Sequence, residues 1–306
     1  MAAMTDPHVL TLRAPHLDVA ALSWGPPDGR LALCLHGFPD SAWGWRKLAP
    51  LLADKGFRVV APFARGYAPT GPAADGDYHI GALMYDALAV YEELGSPPDA
   101  VLIGHDWGAF TSNAIAAFPD TPFAEHISIA VPPVGAINRS RGSIARQLRM
   151  MPRQLRNSWY ILFFQLPGLP ERLLSRVIPR LWRDWGPAGY DTATELDDAL
   201  AALPSPAHRR AAVGYYRAMV RPSRPADRYA ELQKWCFELP QLPILHLQGE
   251  QDGAMQAGYC ESMLSVLPPG SRVVMIPAAG HFLQIERPQV TAEAILDYLG
   301  DRQGPR

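Results

Sequence analysis

Short runs of consecutive apolar residues alternate along the chain with longer segments that have the apolar spacing of helices. Runs that are apolar at nearly every position are typical of strands covered on both faces, as in a parallel sheet. They predict strands at 31–36, 57–62, 100–104, 126–131, 243–249 and 272–277. The segments between them predict helices at 79–94, 107–118, 256–266 and 287–299. The alternation predicts an α/β fold with a mostly parallel, open sheet covered by helices.

The alternation stops between residues 134 and 236, where helical and proline-broken stretches contain no convincing strand. We therefore predict an α/β core domain at 1–133 and 237–306, with a helical cap domain inserted at 134–236. Open parallel sheets bind ligands outside the carboxyl ends of their strands. Because the insertion follows the end of a predicted strand, we expect the cap to roof the binding site.

One stretch of the cap, residues 139–156, contains six arginines and no acidic residue. It admits two interpretations: a basic helix that faces a membrane or binds phosphate, or an amphipathic cap helix whose charged face is simply solvated. An apolar stripe at helical spacing favours the second interpretation. The stripe consists of Ile144, Leu148, Met151 and Leu155.

Composition and charge narrow the classes of partner. The chain has 306 residues, of which 48% are hydrophobic, enough for one large core that carries an insertion. The formal net charge of -2 gives no reason to expect nucleic acid, so a small apolar or neutral molecule is the expected partner. The first residues lack a signal-peptide pattern and no apolar run is long enough to span a bilayer. We expect a soluble, cytoplasmic protein without membrane insertion, and we leave a homodimer open.

The cysteine pattern and the motifs give no sign of a bound metal or cofactor. Cys34, Cys236 and Cys260 are an odd number without metal-ligand spacing, and we expect them to be reduced. No glycine-rich dinucleotide motif follows the first predicted strand. We therefore expect neither a metal nor an organic cofactor.

The first candidate for chemistry is the sequence GHDWG at residues 104–108, directly after a predicted strand and before a predicted helix. In some hydrolases a sharp turn of this kind presents a serine nucleophile, but here its apex is Asp106. A carboxylate is ionised at neutral pH and needs no base to become a nucleophile. Its attack on an ester would give a reactive anhydride, whereas attack on a saturated carbon gives a stable alkyl ester.

Three more turns follow predicted strands and complete a constellation. HGFPD, at 36–40, places the amide of Phe38 where it can join that of Trp107 in an oxyanion hole. QGEQDGAM supplies Asp252 and PAAGHFLQIERP supplies His281, in the chain order nucleophile, acid, histidine. Glu250 is a rival acid two residues before Asp252.

These motifs resemble those of α/β-hydrolases of the epoxide hydrolase branch, and the resemblance extends over nearly the whole chain. It implies an α/β-hydrolase fold with Asp106 as nucleophile, Asp252 as charge-relay partner, His281 as base and the oxyanion hole already named. The activity that it implies is hydrolysis of an oxirane to a vicinal diol through an alkyl ester on Asp106. Neutral His281 would then activate the water that hydrolyses this ester.

Two cap stretches resemble the segments that contribute a pair of lid tyrosines in epoxide hydrolases. They are NSWYILFFQLPGLPE, with Tyr160, and VGYYRAM, with Tyr216. The resemblance implies that both phenols protonate the epoxide oxygen as it leaves. Tyr215 competes with Tyr216, because adjacent helical residues point about 100° apart. The residues expected to line the substrate pocket are His36, Pro39, Trp107 and Phe282.

The sequence leaves two other functions open. GHDWG is shared with haloalkane dehalogenases, although Phe38 stands where those enzymes often carry an asparagine. The alternative from another class is a ligand-binding protein that keeps the hydrolase fold without turnover. One departure from the family pattern is Phe63, which occupies a position where aspartate is usual and whose effect would fall on loop anchoring.

Overall fold

The structure is a computed structural model that describes residues 6–140 and 144–302, without the side chains of 144–147. Its centre is an eight-stranded sheet with the order β1-β2-β4-β3-β5-β6-β7-β8. Neighbouring strands from β4 to β8 pair in parallel, whereas β2 pairs antiparallel with both β1 and β4. The strands are β1 His8–Ala14, β2 Leu17–Trp24, β3 Arg30–Leu35, β4 Phe57–Pro62, β5 Val101–His105, β6 Glu125–Ile129, β7 Ile244–Gly249 and β8 Arg272–Ile276.

The α/β-hydrolase fold and its mostly parallel sheet are confirmed, and each predicted strand is present to within two residues at either end. Both faces of the sheet are covered. Along β5, Leu102 packs into one core cluster, whereas Val101 and Ile103 pack into the cluster on the opposite face. This double burial explains why the central strands are apolar at consecutive positions. The β1–β2 hairpin was not predicted, because β1 alternates between buried and exposed residues and lacks such a run.

The described helices are α1 Ala49–Ala53, α2 Ile80–Glu93, α3 Trp107–Ala117, α4 Val134–Arg139, α5 Ile144–Asn157, α6 Trp159–Phe163, α7 Leu169–Trp185, α8 Ala193–Ala201, α9 Pro206–Val220, α10 Asp227–Gln233, α11 Leu283–Glu286 and α12 Pro288–Arg302. Helices α2, α3 and α12 correspond to predicted ones. The helix predicted at 256–266 is wrong, since that segment forms two short 3-10 turns, Ala257–Cys260 and Met263–Ser265. Glycine and serine, which are poor helix formers, interrupt the segment at Gly258, Ser262 and Ser265.

Helices α4 to α10 lie between β6 and β7, where the sequence predicts an insertion. In α5 the apolar stripe does not pack inward, because Leu148, Met151 and Leu155 are 58%, 45% and 63% exposed. The side chain of Ile144 lies outside the described residues. Within the described chain, no helix combines the length and apolar character needed to cross a membrane.

Candidate active site

Four of the predicted functional segments meet at one edge of the sheet, because each follows the carboxyl end of a parallel strand. Phe38 follows β3, Asp106 follows β5, Asp252 follows β7 and His281 follows β8. Asp106 has φ 52° and ψ −114°, a conformation that non-glycine residues rarely adopt. This strained turn holds the Asp106 side chain at the start of α3.

The side chains of Asp106, His281 and Asp252 lie in line. His281 Nδ1 is 3.0 Å from Asp252 Oδ2, a hydrogen-bond distance. On the other side of the ring, His281 Nε2 is 3.6 Å from Asp106 Oδ2, which makes this contact an ion pair rather than a hydrogen bond. Glu250, the rival acid, is exposed. The histidine therefore bridges two carboxylates.

The Asp252 carboxylate is held from several directions. Its Oδ1 accepts hydrogen bonds from the amides of Ala254 and Met255, at 2.7 and 2.9 Å. Its Oδ2 accepts a third, at 2.8 Å, from the side-chain amide of Gln248. Gln248 was not predicted from the sequence, although it lies in β7 only four residues before the acid. These bonds fix the carboxylate in the orientation that meets His281.

His281 is fully buried between negative charges. Burial lowers the pKa of His281, but the charges of Asp252 and Asp106 outweigh it and raise the pKa to about 10. The imidazole is therefore protonated at neutral pH. The neutral His281 expected from the sequence belongs to hydrolysis of the ester, when Asp106 no longer carries this charge.

Backbone contacts position the loop that carries His281. The His105 ring donates from Nε2 to the His281 carbonyl oxygen at 2.9 Å, and burial lowers the pKa of His105 to about 3, so this ring is neutral. The His281 amide donates to the carbonyl oxygen of Trp185, at the end of α7, at 3.0 Å. Only glycine allows this approach, since a Cβ on Gly280 would lie 2.5 Å from the same oxygen. His105 and Trp185 were not predicted from the sequence.

Glu286, in α11, forms hydrogen bonds with the same loop. Its carboxylate accepts hydrogen bonds from the amides of Gly280 and Phe282, the residues on either side of His281. Burial raises the pKa of Glu286 to about 7, against the opposing effects of these bonds and of the His281 charge. Glu286 was not predicted from the sequence. The feature of the sequence that could have identified it is its position in AGHFLQIERP, five residues after the histidine.

Two backbone amides flank the carboxylate of Asp106. The Phe38 amide donates to Asp106 Oδ1 at 2.8 Å. The Trp107 amide lies beside it: a Cβ added to Gly37 would be 2.3 Å from Asp106 Oδ1 and 2.6 Å from the Trp107 nitrogen. Both predicted oxyanion-hole amides therefore lie close to one oxygen of the apex residue.

The predicted pocket residue His36 braces the backbone of this loop. Its Nε2 accepts from the Ala64 amide at 3.0 Å, so Nδ1 carries the proton and donates to the Gly37 carbonyl oxygen at 2.9 Å. Burial lowers the pKa of His36 to about 4, which keeps the ring neutral. Neither ring nitrogen is left for a ligand. Phe63, at the position that departs from the family pattern, is buried in the core nearby.

Pro39 and Phe282 lie at the contact between α7 and the sheet edge. The Trp182 indole donates from Nε1 to the Pro39 carbonyl oxygen at 2.8 Å. Its ring stacks on Phe282 with the centroids 3.6 Å apart. Phe282 in turn contacts His281 edge-on at 5.3 Å. Helix α7 of the insertion is thereby fixed directly against the loops of the site.

Tyr160 and Tyr216 meet above this site, with ring centroids 5.3 Å apart. Tyr216 lies 5.1 Å from Trp107 and 5.4 Å from Phe38, and Tyr160 lies 5.1 Å from Trp185. Both tyrosines are buried. Burial raises the pKa of each phenol and the negative charge of Asp106 raises it further, so both are protonated at neutral pH.

The choice between Tyr215 and Tyr216 follows from their partners. The Tyr215 hydroxyl donates to the Arg65 carbonyl oxygen at 2.7 Å, away from the site. Arg65 is itself buried and forms two hydrogen bonds of 2.5 Å with Asp86. Tyr215 is therefore an anchor between α9 and the core, and Tyr216 is the one that packs on Phe38 beside Asp106.

The space around Trp107 is small and apolar. Two cavities of about 50 Å³ each are lined by Trp107 and Tyr215, one on the side of Leu35 and Leu83 and the other toward Phe110. In the described part of the chain, no group of three or more histidine, cysteine, aspartate or glutamate side chains could hold a metal ion. The site offers a carboxylate, a protonated histidine, two amides and two phenols within an aromatic enclosure.

Comparisons with known proteins agree on one family. The family model for the alpha/beta hydrolase fold matches residues 33–288. Epoxide hydrolase A of Mycobacterium tuberculosis is 30% identical over 302 residues, which cover 90% of this chain and 92% of the relative. Epoxide hydrolase 3 of Mus musculus is 29% identical over 304 residues, which cover 96% of this chain and 77% of the relative. The crystal structure of epoxide hydrolase A from Mycobacterium thermoresistibile superposes with a TM-score of 0.72 at 25% identity. The superposition covers 96% of this chain and 98% of that chain.

Proposed function

Because the chain belongs to the α/β-hydrolase family and to its epoxide hydrolase branch, we propose that it adds water to an oxirane to give a vicinal diol. One observation carries the proposal: two buried, protonated phenols lie beside Asp106, which is paired with His281 and, through it, with Asp252. The substrate is a small apolar or neutral epoxide, in keeping with the aromatic enclosure. Residues 134–236 act as the cap that supplies the phenols.

In the first half-reaction the Asp106 carboxylate attacks an oxirane carbon. Oδ1 is engaged by the Phe38 amide, so Oδ2 is the oxygen that forms the new bond. The carbon–oxygen bond of the ring breaks, its electron pair stays on the leaving oxygen, and a proton from Tyr160 or Tyr216 neutralises that oxygen. The product is a neutral hydroxyalkyl ester of Asp106.

Formation of the ester removes the negative charge of Asp106 and so lowers the pKa of the two phenols and of His281. That charge helps to raise the pKa of both phenols and of His281. Its loss makes the phenols stronger acids when the alkoxide develops. It also weakens the hold on the His281 proton, because Asp252 is then the one remaining carboxylate beside the ring. That proton passes through solvent to the phenolate left by ring opening, which restores the phenol and leaves His281 neutral. Neutral His281 thus belongs to the ester stage.

In the second half-reaction neutral His281 takes a proton from water, and the resulting hydroxide attacks the carboxyl carbon of Asp106. The oxyanion forms on the oxygen that faces the Phe38 and Trp107 amides. The tetrahedral intermediate expels the diol oxygen, which takes a proton back from His281. The carboxylic acid that this leaves on Asp106 then gives its proton to His281, which restores the resting ion pair. Asp252 stabilises the imidazolium throughout this step.

A single turnover in water enriched in oxygen-18 tests the covalent route. With enzyme in excess over a styrene-type epoxide, we expect the first diol to contain no label and the peptide that contains Asp106 to gain it. Mass spectrometry of the quenched protein and product measures both. Label in the first diol with none in the protein would mean that water attacks the epoxide directly and would reject the ester.

The two alternative functions are distinguished by product. Phe38 offers no side-chain donor for a halide, and its ring packs edge-on against Tyr216 and Phe164. We therefore expect diol release from epoxides and no halide release from haloalkanes of similar size. A binding protein without turnover would bind the epoxide panel and release neither product.

Replacement of both lid phenols is expected to impair ring opening strongly. Tyr160→Phe and Tyr216→Phe should each reduce the rate of ester formation about tenfold, since the other phenol still donates. The double variant should lose about 10³-fold, because the alkoxide then has no nearby acid. The measurement is the single-turnover rate of ester formation. A double variant that forms the ester at the wild-type rate would remove the phenols from the mechanism.

Tyr215→Phe is the matched control, because Tyr215 is the next residue and equally buried. It loses the hydrogen bond to Arg65, which should lower the free energy of unfolding by about 1 kcal/mol. Ring opening by the folded protein should stay close to wild type. If Tyr215→Phe slowed ester formation as much as Tyr216→Phe, the effect of the latter would come from packing.

A further inference from the structure

Positive charge is concentrated in one part of the cap. Ten arginines and one acidic residue, Glu171, fall between residues 139 and 183, although the formal net charge of the chain is -2. Glu171 is paired with Arg217, which lies outside this segment, at 2.6 Å. Asp184 pairs with Arg180 and Arg183, at 3.3 and 3.1 Å. The proposed chemistry uses none of these arginines.

Helix α5 rests on the core by one polar side. Gln154 donates from its side chain to the Ala254 carbonyl oxygen at 2.7 Å. Gln256 donates to the Met150 carbonyl oxygen at 2.9 Å. Both contacts tie α5 to the loop that carries Asp252. They fix which side of the helix faces inward.

The outward side of α5 carries two parallel stripes. At about 100° per residue, Leu148, Met151 and Leu155 form one and the arginines form the other. The apolar side chains are 58%, 45% and 63% exposed, and the arginines are exposed as well. No carboxylate of the described chain pairs with these arginines, which are Arg149, Arg153 and Arg156.

Exposed apolar residues continue beyond the helix. Leu162 in α6 is 70% exposed, Leu166 in the turn after α6 is 45% exposed, and Leu169 at the start of α7 is 43% exposed. Soluble proteins seldom concentrate this many large apolar side chains in one exposed segment without a partner. The partner must therefore accept leucine side chains beside unpaired arginines.

Charge and chemistry distinguish the candidate partners. A second copy that paired through the same face would bring two arginine stripes together, at an electrostatic cost. Nucleic acid would match the arginines but would leave the leucines in water. An anionic lipid surface accepts both, because its phosphates attract arginine and its acyl boundary accepts leucine and methionine.

We propose that α5 and the segment Leu162–Leu169 dock this protein on an anionic lipid surface. Helix α5 lies in the plane of the surface, with its apolar stripe in the acyl boundary and its arginines among the headgroups. Docking is peripheral and reversible, and it does not depend on the proposed activity. It holds the cap against the phase in which apolar molecules concentrate.

Co-sedimentation of the full chain with vesicles tests the proposal. We expect binding to phosphatidylcholine vesicles that contain about a quarter phosphatidylglycerol, weak binding to pure phosphatidylcholine, and release as the salt concentration rises. Leu148→Ser with Leu155→Ser should lower the affinity at least about tenfold. Arg149→Gln with Arg153→Gln should lower it about 25-fold, about fivefold for each arginine.

Matched variants outside the surface provide the controls. Val9→Ser with Leu264→Ser changes two residues that are 71% and 52% exposed and should leave vesicle binding unchanged. Arg210→Gln with Arg224→Gln removes two exposed charges outside the segment and should have a far smaller effect than the α5 pair. Turnover of a water-soluble epoxide should be equal in every variant, which verifies folding.

Several outcomes would overturn the proposal. They are the absence of binding to anionic vesicles, equal binding to neutral vesicles, and equal losses in the control pairs. Analytical ultracentrifugation adds a further one. A wild-type dimer that Leu148→Ser with Leu155→Ser converts to monomer would show that a second copy covers this surface instead.

Discussion

Asp106→Asn is expected to lose epoxide turnover by about 10⁵-fold, the scale seen when a covalent nucleophile is removed. The amide has nearly the shape of the carboxylate and can still accept the Phe38 hydrogen bond. It has no charge and no free electron pair of comparable reactivity, so the ester cannot form. The measurements are diol release and the mass of the quenched protein, which should show no adduct.

Two variants make this result specific. Asp252→Asn should still form the ester, because Asp106 is untouched, but should hydrolyse it slowly. Asp40→Asn is the matched buried control, since its hydrogen bonds go to Ser41 and Gln284 and not to the triad, and it should keep most of the activity. Activity in freshly prepared Asp106→Asn, with deamidation excluded by intact mass, would contradict a nucleophilic role for this residue.

The strands that carry the site could be predicted because burial on both faces leaves a direct mark on the sequence. Phe38, Asp106, Asp252 and His281 each follow such a strand, and the rules of parallel sheets alone bring them to one edge. Strand β1 was missed for the converse reason. It lies at the end of the sheet with one side in water, where polar and apolar residues alternate in a short run.

The supports of the site could not be predicted, because they depend on contacts between distant segments. Trp185 binds the His281 amide through its carbonyl oxygen, a group that every residue possesses and that no sequence pattern marks. Which of Tyr215 and Tyr216 faces the site depends on the orientation of α9, which directs the Tyr215 hydroxyl to the Arg65 carbonyl oxygen. The apolar stripe of α5 shows the same limit, since periodicity identifies an amphipathic helix without showing what its apolar side contacts.

His281→Gln is expected to stop the cycle at the ester. Its glutamine cannot take a proton from water, so hydrolysis should slow by about 10⁴-fold. Ester formation requires the Asp106 carboxylate and the phenols and should continue. One equivalent of epoxide should therefore be consumed, and intact mass should show the protein with one added substrate. His126→Gln is the matched control, a buried histidine at the start of β6 whose ring contacts Thr121, and it should turn over normally.

Low pH should also make the ester accumulate in the wild-type protein. The direction of this pH effect follows from the charges around His281. In the free protein two carboxylates hold its pKa near 10, but in the ester one of them is neutral, so the pKa falls and the ring can release its proton. Lowering the pH returns that proton and slows hydrolysis, while Asp106 and the protonated phenols still form the ester. The ester fraction in quenched steady-state samples should therefore rise as the pH falls. In His281→Gln, ester hydrolysis should lose this pH dependence. A wild-type ester fraction that instead rose toward alkaline pH would mean that His281 is not the base.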